Sequence, residues 1–260
     1  MWYDRISSAG LNPMRRYPRY SSASYSFGPG PVSPAVKAII WANVGVYVLT
    51  WLFPRLSIVL GLAPTATFER LWVWQPATYM FVHAGTMHIL FNMLLLWMFG
   101  VELERLWGTR FFARYYAVTG LGAAATTLAW SLLPLPGADA IYYGVTVGAS
   151  GAIYGLLLAF GIYFPNRPIL MFLLFPVPAK YFVIIMGALA FMAASSSGGG
   201  TIAHTAHLGG LVVGFLYLKG TKGVVAEAKY RYLRWKMARL RRRFDVHTGG
   251  RHDDWNRRIH

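Results

Sequence analysis

Three groups of residues in this chain of 260 residues have the types and spacing of a reactive site. The first is His83, His88 and Asn92, with His88 and Asn92 at i, i+4 and hence on one helical face. The second is Gly148-Ala149-Ser150-Gly151, with Tyr154 one turn after the serine. The third is His204 and His207, followed by Gly210 and Gly214. A serine hydroxyl is a weak nucleophile until a base takes its proton, and histidine titrates in the right range to do so. Attack on an amide builds an oxyanion, which needs fixed donors in a water-poor site. His88, Asn92 and the backbone N–H groups near Ser150 are of the right type. No acid completes a triad: Glu69 and Asp139 fall in loops, and Glu102 and Glu104 lie at the far end of the segment carrying His88. The expectation is a dyad of Ser150 as nucleophile and His207 as general base, with Tyr154 placed to stack on the histidine. Each group also has a plain structural reading. Gly and Ser are common where helices pack in lipid, a lone histidine is often a packing residue, and His88, His204 and His207 are metal ligands by type.

The elements that must position these residues are long and apolar. Hydrophobic residues make up 56% of the chain and charged residues 13%, about half of the roughly 25% found in soluble domains. Such a composition excludes a disordered chain, and the absence of cysteine excludes a disulfide scaffold, thiol catalysis and Cys-ligated metal centres. Apolar runs near the ~20 residues that cross a bilayer extend over 34–53, 79–101, 111–133, 141–163 and 201–218. A shorter one covers 181–194, preceded by the proline-broken stretch Ile169 to Pro178. The fold expected is an all-α polytopic membrane protein, a bundle of six transmembrane helices.

Of the 25 Lys and Arg residues, all but Arg55 and Arg70 fall in the tails and connections of one side. The positive-inside rule makes that side, with both termini, cytoplasmic. The net charge of +16 therefore reads as a topology signal, and no nucleic-acid partner is expected. Spans two, four and six then enter from outside, and His88, Ser150 and His207 fall at matched depth, on the order of 10 Å below the outer surface. Gly151 and Gly155 form one small-residue face and Gly210 and Gly214 another; packing them together brings Ser150 toward His207.

Outside the bundle (34–219), residues 1–33 read as a disordered cytoplasmic tail and 220–260 as a basic one. In the latter, Ala226, Tyr230, Leu233, Met237, Leu240 and Phe244 make the apolar stripe of an amphipathic helix over about 224–244. Lys and Arg on its other faces suit anionic lipid. The loop Pro54 to Thr78, with Trp72 and Trp74 near Tyr79, reads as lying in the outer headgroup layer. Ser195 to Gly200, rich in Ser and Gly, reads as a mobile loop capping a cavity above Ser150.

At these residues the sequence resembles the rhomboid family of intramembrane serine proteases. The family's His-x4-His-x3-Asn reads His83, His88, Asn92; its Gly-x-Ser-Gly reads Gly148 to Gly151, with the tyrosine as Tyr154. Its Ala-His-x2-Gly-x3-Gly reads Ala206, His207, Gly210, Gly214, a spacing that selects His207 over His204. Its Glu-x3-Gly reads Glu104 and Gly108. The resemblance implies hydrolysis of peptide bonds in transmembrane protein substrates by Ser150 and His207, with His88 and Asn92 supporting the oxyanion and no cofactor or metal. One departure is visible: where the family often has Trp-Arg in the first outer loop, this chain has Trp74-Gln75. The location expected is the cell (inner) membrane of a prokaryote, in contact with membrane lipid; no feature marks an oligomeric state. The alternatives are a non-catalytic rhomboid-like protein that binds membrane clients, and a histidine-dependent transporter.

Overall fold

Proline, glycine and serine punctuate the apolar runs and set where the helices of the computed structural model begin and end. It describes residues 28–135, 137–171, 175–194 and 201–220. The elements run α1 (Pro34–Leu52), α2 (Arg55–Leu60), α3 (Pro64–Glu69), α4 (Gln75–Thr78), a 3-10 turn (Tyr79–Phe81), α5 (Thr86–Trp107), α6 (Thr109–Ser131), α7 (Ala138–Tyr143) and α8 (Ser150–Tyr163). After these come strands β1 (Pro168–Met171) and β2 (Phe175–Pro178), then α9 (Ala179–Ala194) and α10 (Thr201–Gly220).

α8 is the centre of the bundle. It packs against α5, α6, α9 and α10, and α10 in turn against α6 and α9. Nine of the 14 residues of α8 are buried, against three of 16 in α9. The outer faces carry large apolar side chains, among them Trp41, Trp51, Phe91, Ile184 and Phe191. A rim of this kind suits lipid better than water. Among the described residues, α1 and α5 are long and apolar enough to cross a membrane, and α8 and α9 are apolar but shorter.

One carboxylate ties three helix ends together. The first N–H groups of a helix have no partner within it, and Ser33, at the N-cap of α1, makes no side-chain cap. Glu104 of α5 takes that place, accepting from the N–H groups of Ala35 (2.9 Å) and Val36 (3.0 Å). It accepts as well from the hydroxyls of Ser33 and of Thr109, which opens α6. Gly108, at φ 79°, makes the left-handed turn between α5 and α6, a conformation that glycine adopts without a Cβ penalty.

Four expectations are corrected. The apolar run from Tyr79 does not start a helix there: the 3-10 turn and an extended Gly85 delay α5 to Thr86, so His83 precedes the helix. The run from Ile141 is broken between Gly144 and Ala149, which leaves α7 as a short helix and makes Ser150 the first residue of α8 rather than a mid-helix one. The fold is not purely helical, because the proline-broken stretch forms an antiparallel hairpin with Pro168 opposite Pro178 and Ile169 opposite Val177; proline disfavours helix there. Within the segment read as a disordered tail, residues 28–33 are held along α5. Arg105 donates to the carbonyls of Pro29 and Pro31, and Trp97 to that of Gly30. The loop Ser195 to Gly200, the amphipathic stretch 224–244 and residues 1–27 lie outside the described residues.

Candidate active site

Ser150 owes its position to the break before α8. Gly148 sits at φ 115°, a region that side chains rarely occupy, and a Cβ there would come within 2.7 Å of His88 Nε2. Only glycine suits both constraints. Its N–H donates to the carbonyl of Tyr79 (3.0 Å), while Leu62 and Thr146 exchange a pair of backbone hydrogen bonds at 2.8–2.9 Å. The segment entering Ser150 is thus braced from two sides, by the loop after α1 and by the 3-10 turn that follows it. Because Ser150 opens α8, the N–H groups of its first turn have no intrahelical acceptor, and the helix dipole adds positive character there.

α10 brings the histidine. A Cβ on Gly210 would overlap the carbonyl oxygen of Gly151, and one on Gly214 would lie 3.3 Å from the Gly155 Cα. Gly210 and Gly214 therefore rest on the backbone of α8. Gly151 and Gly155 of α8 face α6 instead: a Cβ on Gly151 would meet Ala123, and one on Gly155 would meet Thr119, each at 2.6 Å. Three helices converge at backbone distance, and His207, one turn before Gly210, is carried to the serine. His207 Nε2 lies 2.8 Å from Ser150 Oγ. The Tyr154 ring stacks on His207 with centroids 4.2 Å apart and planes 5° from parallel.

α5 and the turn before it supply the remaining polar groups. The Ala84 N–H donates to His88 Nδ1 (3.3 Å), which in a neutral imidazole leaves the proton on Nε2, the nitrogen beside Gly148. Asn92 donates one amide hydrogen to the His88 carbonyl (2.8 Å), which leaves its second hydrogen for another acceptor. His83 packs edge-on against His88 at 5.0 Å, and its Nδ1 lies 3.4 Å from the Phe81 carbonyl. Among the described residues, no three His, Asp or Glu side chains gather closely enough to hold a metal ion.

Residues 70–221 match the model of the Rhomboid domain. The chain belongs to the rhomboid family. Membership makes it a mostly helical, polytopic, integral membrane protein. Among its relatives, the mitochondrial rhomboid protein 1 of Saccharomyces cerevisiae is 35% identical over 187 residues, covering 70% of this chain and 51% of its own length. The rhomboid protease AarA of Providencia stuartii is 30% identical over 154 residues, covering 55% and 54%. The putative rhomboid protease YdcA of Bacillus subtilis is 33% identical over 190 residues, covering 70% and 82%. The chain thus spans about half the length of the yeast and Providencia rhomboids.

Two residues near the rhomboid motifs escaped the sequence reading. Tyr79, read as an interfacial aromatic, is buried, and its hydroxyl donates to the Gly120 carbonyl of α6 (2.8 Å). Gln75, in the place where an arginine is common, is fully buried. Its Oε1 accepts from the Ala63 N–H and the Thr67 hydroxyl, and its Nε2 donates to the carbonyls of Ile58 and Val59. A neutral amide, with both donors and acceptors, closes this loop from within. The one available signal was the departure from Trp-Arg itself.

Proposed function

We propose that this rhomboid is an intramembrane serine endopeptidase that hydrolyses peptide bonds in or near the transmembrane segments of other membrane proteins. The observation that carries the reading is the 2.8 Å approach of Ser150 Oγ to His207 Nε2. At that distance the hydroxyl proton passes to Nε2 as Oγ attacks the scissile carbonyl carbon. The carbonyl oxygen takes the negative charge and is met by the N–H groups of the first turn of α8, by the second amide hydrogen of Asn92 and by His88 Nε2–H. His207 then returns the proton to the amine nitrogen as the C–N bond breaks, leaving an acyl ester on Ser150. Water, deprotonated by His207, releases the acid and restores the serine. Tyr154 keeps the imidazole plane fixed through the cycle.

In this reading six helices span the bilayer, α1, α5, α6, α8, α9 and α10, with both termini cytoplasmic. Loops on the far side carry the braces around Ser150. The protein resides in the cell membrane of a prokaryote and meets its substrates within lipid. The test is reaction of the purified protein with a fluorophosphonate. Wild type should label at one site, and Ser150→Ala should abolish both labelling and cleavage of a transmembrane test substrate. His207→Ala should lose nearly as much, since removing either member of a coupled pair costs about as much as removing both. A transporter or a client-binding rhomboid would show neither effect.

A further inference from the structure

The dyad leaves one atom of the base without a partner. For His207 Nε2 to accept the serine proton, the neutral ring must carry its hydrogen on Nδ1. That Nδ1 is shielded from solvent and makes no hydrogen bond, an arrangement that is costly for a donor and more so for the imidazolium formed on proton transfer. Tyr154 offers its flat face, with no acceptor for the ring's edge. The buried carboxylate of Glu104 is held by four donors at the opposite end of α5.

One turn before His207 on the same face of α10 stands His204. The two rings meet edge to face, centroids 5.4 Å apart and planes at 78°. His204 Nδ1 is likewise shielded and without a partner. Two unpartnered buried nitrogens on adjoining rings, one requiring an acceptor and the other able to be one, form a complementary pair. Ring rotation or a bridging water would join them.

We propose that His204 is a positioning residue for His207. It holds the catalytic imidazole in the Nδ1–H tautomer and steadies the imidazolium, the part that an acid plays in a serine triad. No bond to His204 forms or breaks: the proton travels from Ser150 Oγ to His207 Nε2 and on to the leaving amine, and the neutral His204 only accepts a hydrogen bond. The inference rests on the Ser150–His207 reading.

The test uses the full chain in proteoliposomes. His204→Phe keeps the ring and its edge-to-face packing and removes both nitrogens; His204→Asn restores a polar acceptor close to the position of Nδ1. Three quantities are read: the rate of fluorophosphonate reaction at Ser150, kcat and KM for a transmembrane test substrate, and the thermal unfolding midpoint. His204→Phe should slow labelling and kcat by about tenfold or more, the lower end of what is lost with partners that orient metal-bound histidines, with KM and midpoint unchanged. His204→Asn should recover most of the rate. A wild-type rate in His204→Phe overturns the proposal, as do equal losses in both variants with a lowered midpoint. If His204→Phe does not fold, His204→Leu against His204→Asn makes the same comparison, and equal rates overturn it. Labelling that survives Ser150→Ala removes the dyad and this inference together. A silent Ser150→Ala beside a fully active His204→Phe removes the inference alone.

Discussion

Gly210→Ala tests whether helix packing sets the chemistry. A Cβ at Gly210 would overlap the Gly151 carbonyl oxygen, with the Gly151 Cα only 3.4 Å away. The obstacle is backbone, so no rotamer change relieves it. Restoring an ordinary C···O contact of about 3.2 Å moves α10 off α8 by roughly 1 Å or more. His207 lies one turn away on the same helix and moves with it, so the 2.8 Å contact to Ser150 Oγ opens beyond hydrogen-bond range. A misplacement of ~1 Å is worth about a hundredfold in rate, and overpacking of this kind costs about 1–3 kcal/mol of stability. Gly187→Ala in α9 is the control, since its Cβ would meet only the Leu211 side chain at 3.5 Å, and it should be neutral or gain ~0.5–1 kcal/mol. The assay is labelling rate and substrate turnover beside thermal unfolding in the same detergent. Gly210→Ala with activity within threefold of wild type, and an unchanged unfolding midpoint, would refute the argument that these glycines carry His207 to the serine.

Glu104→Ala leaves the Ala35 and Val36 N–H groups unpaired and should lower stability by about 2–6 kcal/mol, at ~1–3 kcal/mol per buried orphan; a loss under ~1 kcal/mol in reversible unfolding contradicts its capping role. Gln75→Leu keeps the volume but orphans the Ala63 N–H and the Ile58 carbonyl, while the Val59 carbonyl keeps the Trp74 indole N–H. It should cost about 2 kcal/mol and slow labelling through the Leu62–Thr146 brace; unaltered stability and rate would show the loop to be held otherwise. Asn92→Ala should reduce turnover by about 10²–10³, the worth of one oxyanion donor, with KM little changed. Full activity in that variant assigns the oxyanion to the backbone and His88.

The polar side chains that gather around Ser150 were legible in the sequence because they recur at helical spacing against an apolar background. His88 and Asn92, Ser150 and Tyr154, and His207 with Gly210 and Gly214 each declare a face, and small residues name the faces that touch. Helix ends were less legible. In a soluble helix, amphipathic periodicity fades at the ends and local caps mark them. In an apolar run the composition continues across Gly85 and across Gly144 to Ala149, so nothing local shows that the helix has stopped. The caps themselves come from far along the chain, as Glu104 does for α1, and no window of sequence contains both partners. Gln75 and Tyr79 were hidden for the same reason. Their partners lie on other turns and helices, and their burial follows from how the stretch between α1 and α5 folds back rather than from their neighbours in the chain.

The broken fourth segment shows why a boundary misread matters for mechanism. A continuous helix from Ile141 to Tyr163 would have put Ser150 mid-helix, with its N–H bonded to the carbonyl four residues before and unable to meet an oxyanion. The break places it at the first helical position, where the N–H groups of Ser150, Gly151 and Ala152 are free of intrahelical acceptors. The same glycine that ends the irregular stretch gives His88 Nε2 its close approach. Ser150, the free N–H groups beside it and the α5 histidine are therefore set by one interruption in an apolar run, and it is held open by the stretch between α1 and α5 through the Tyr79 and Leu62 carbonyls.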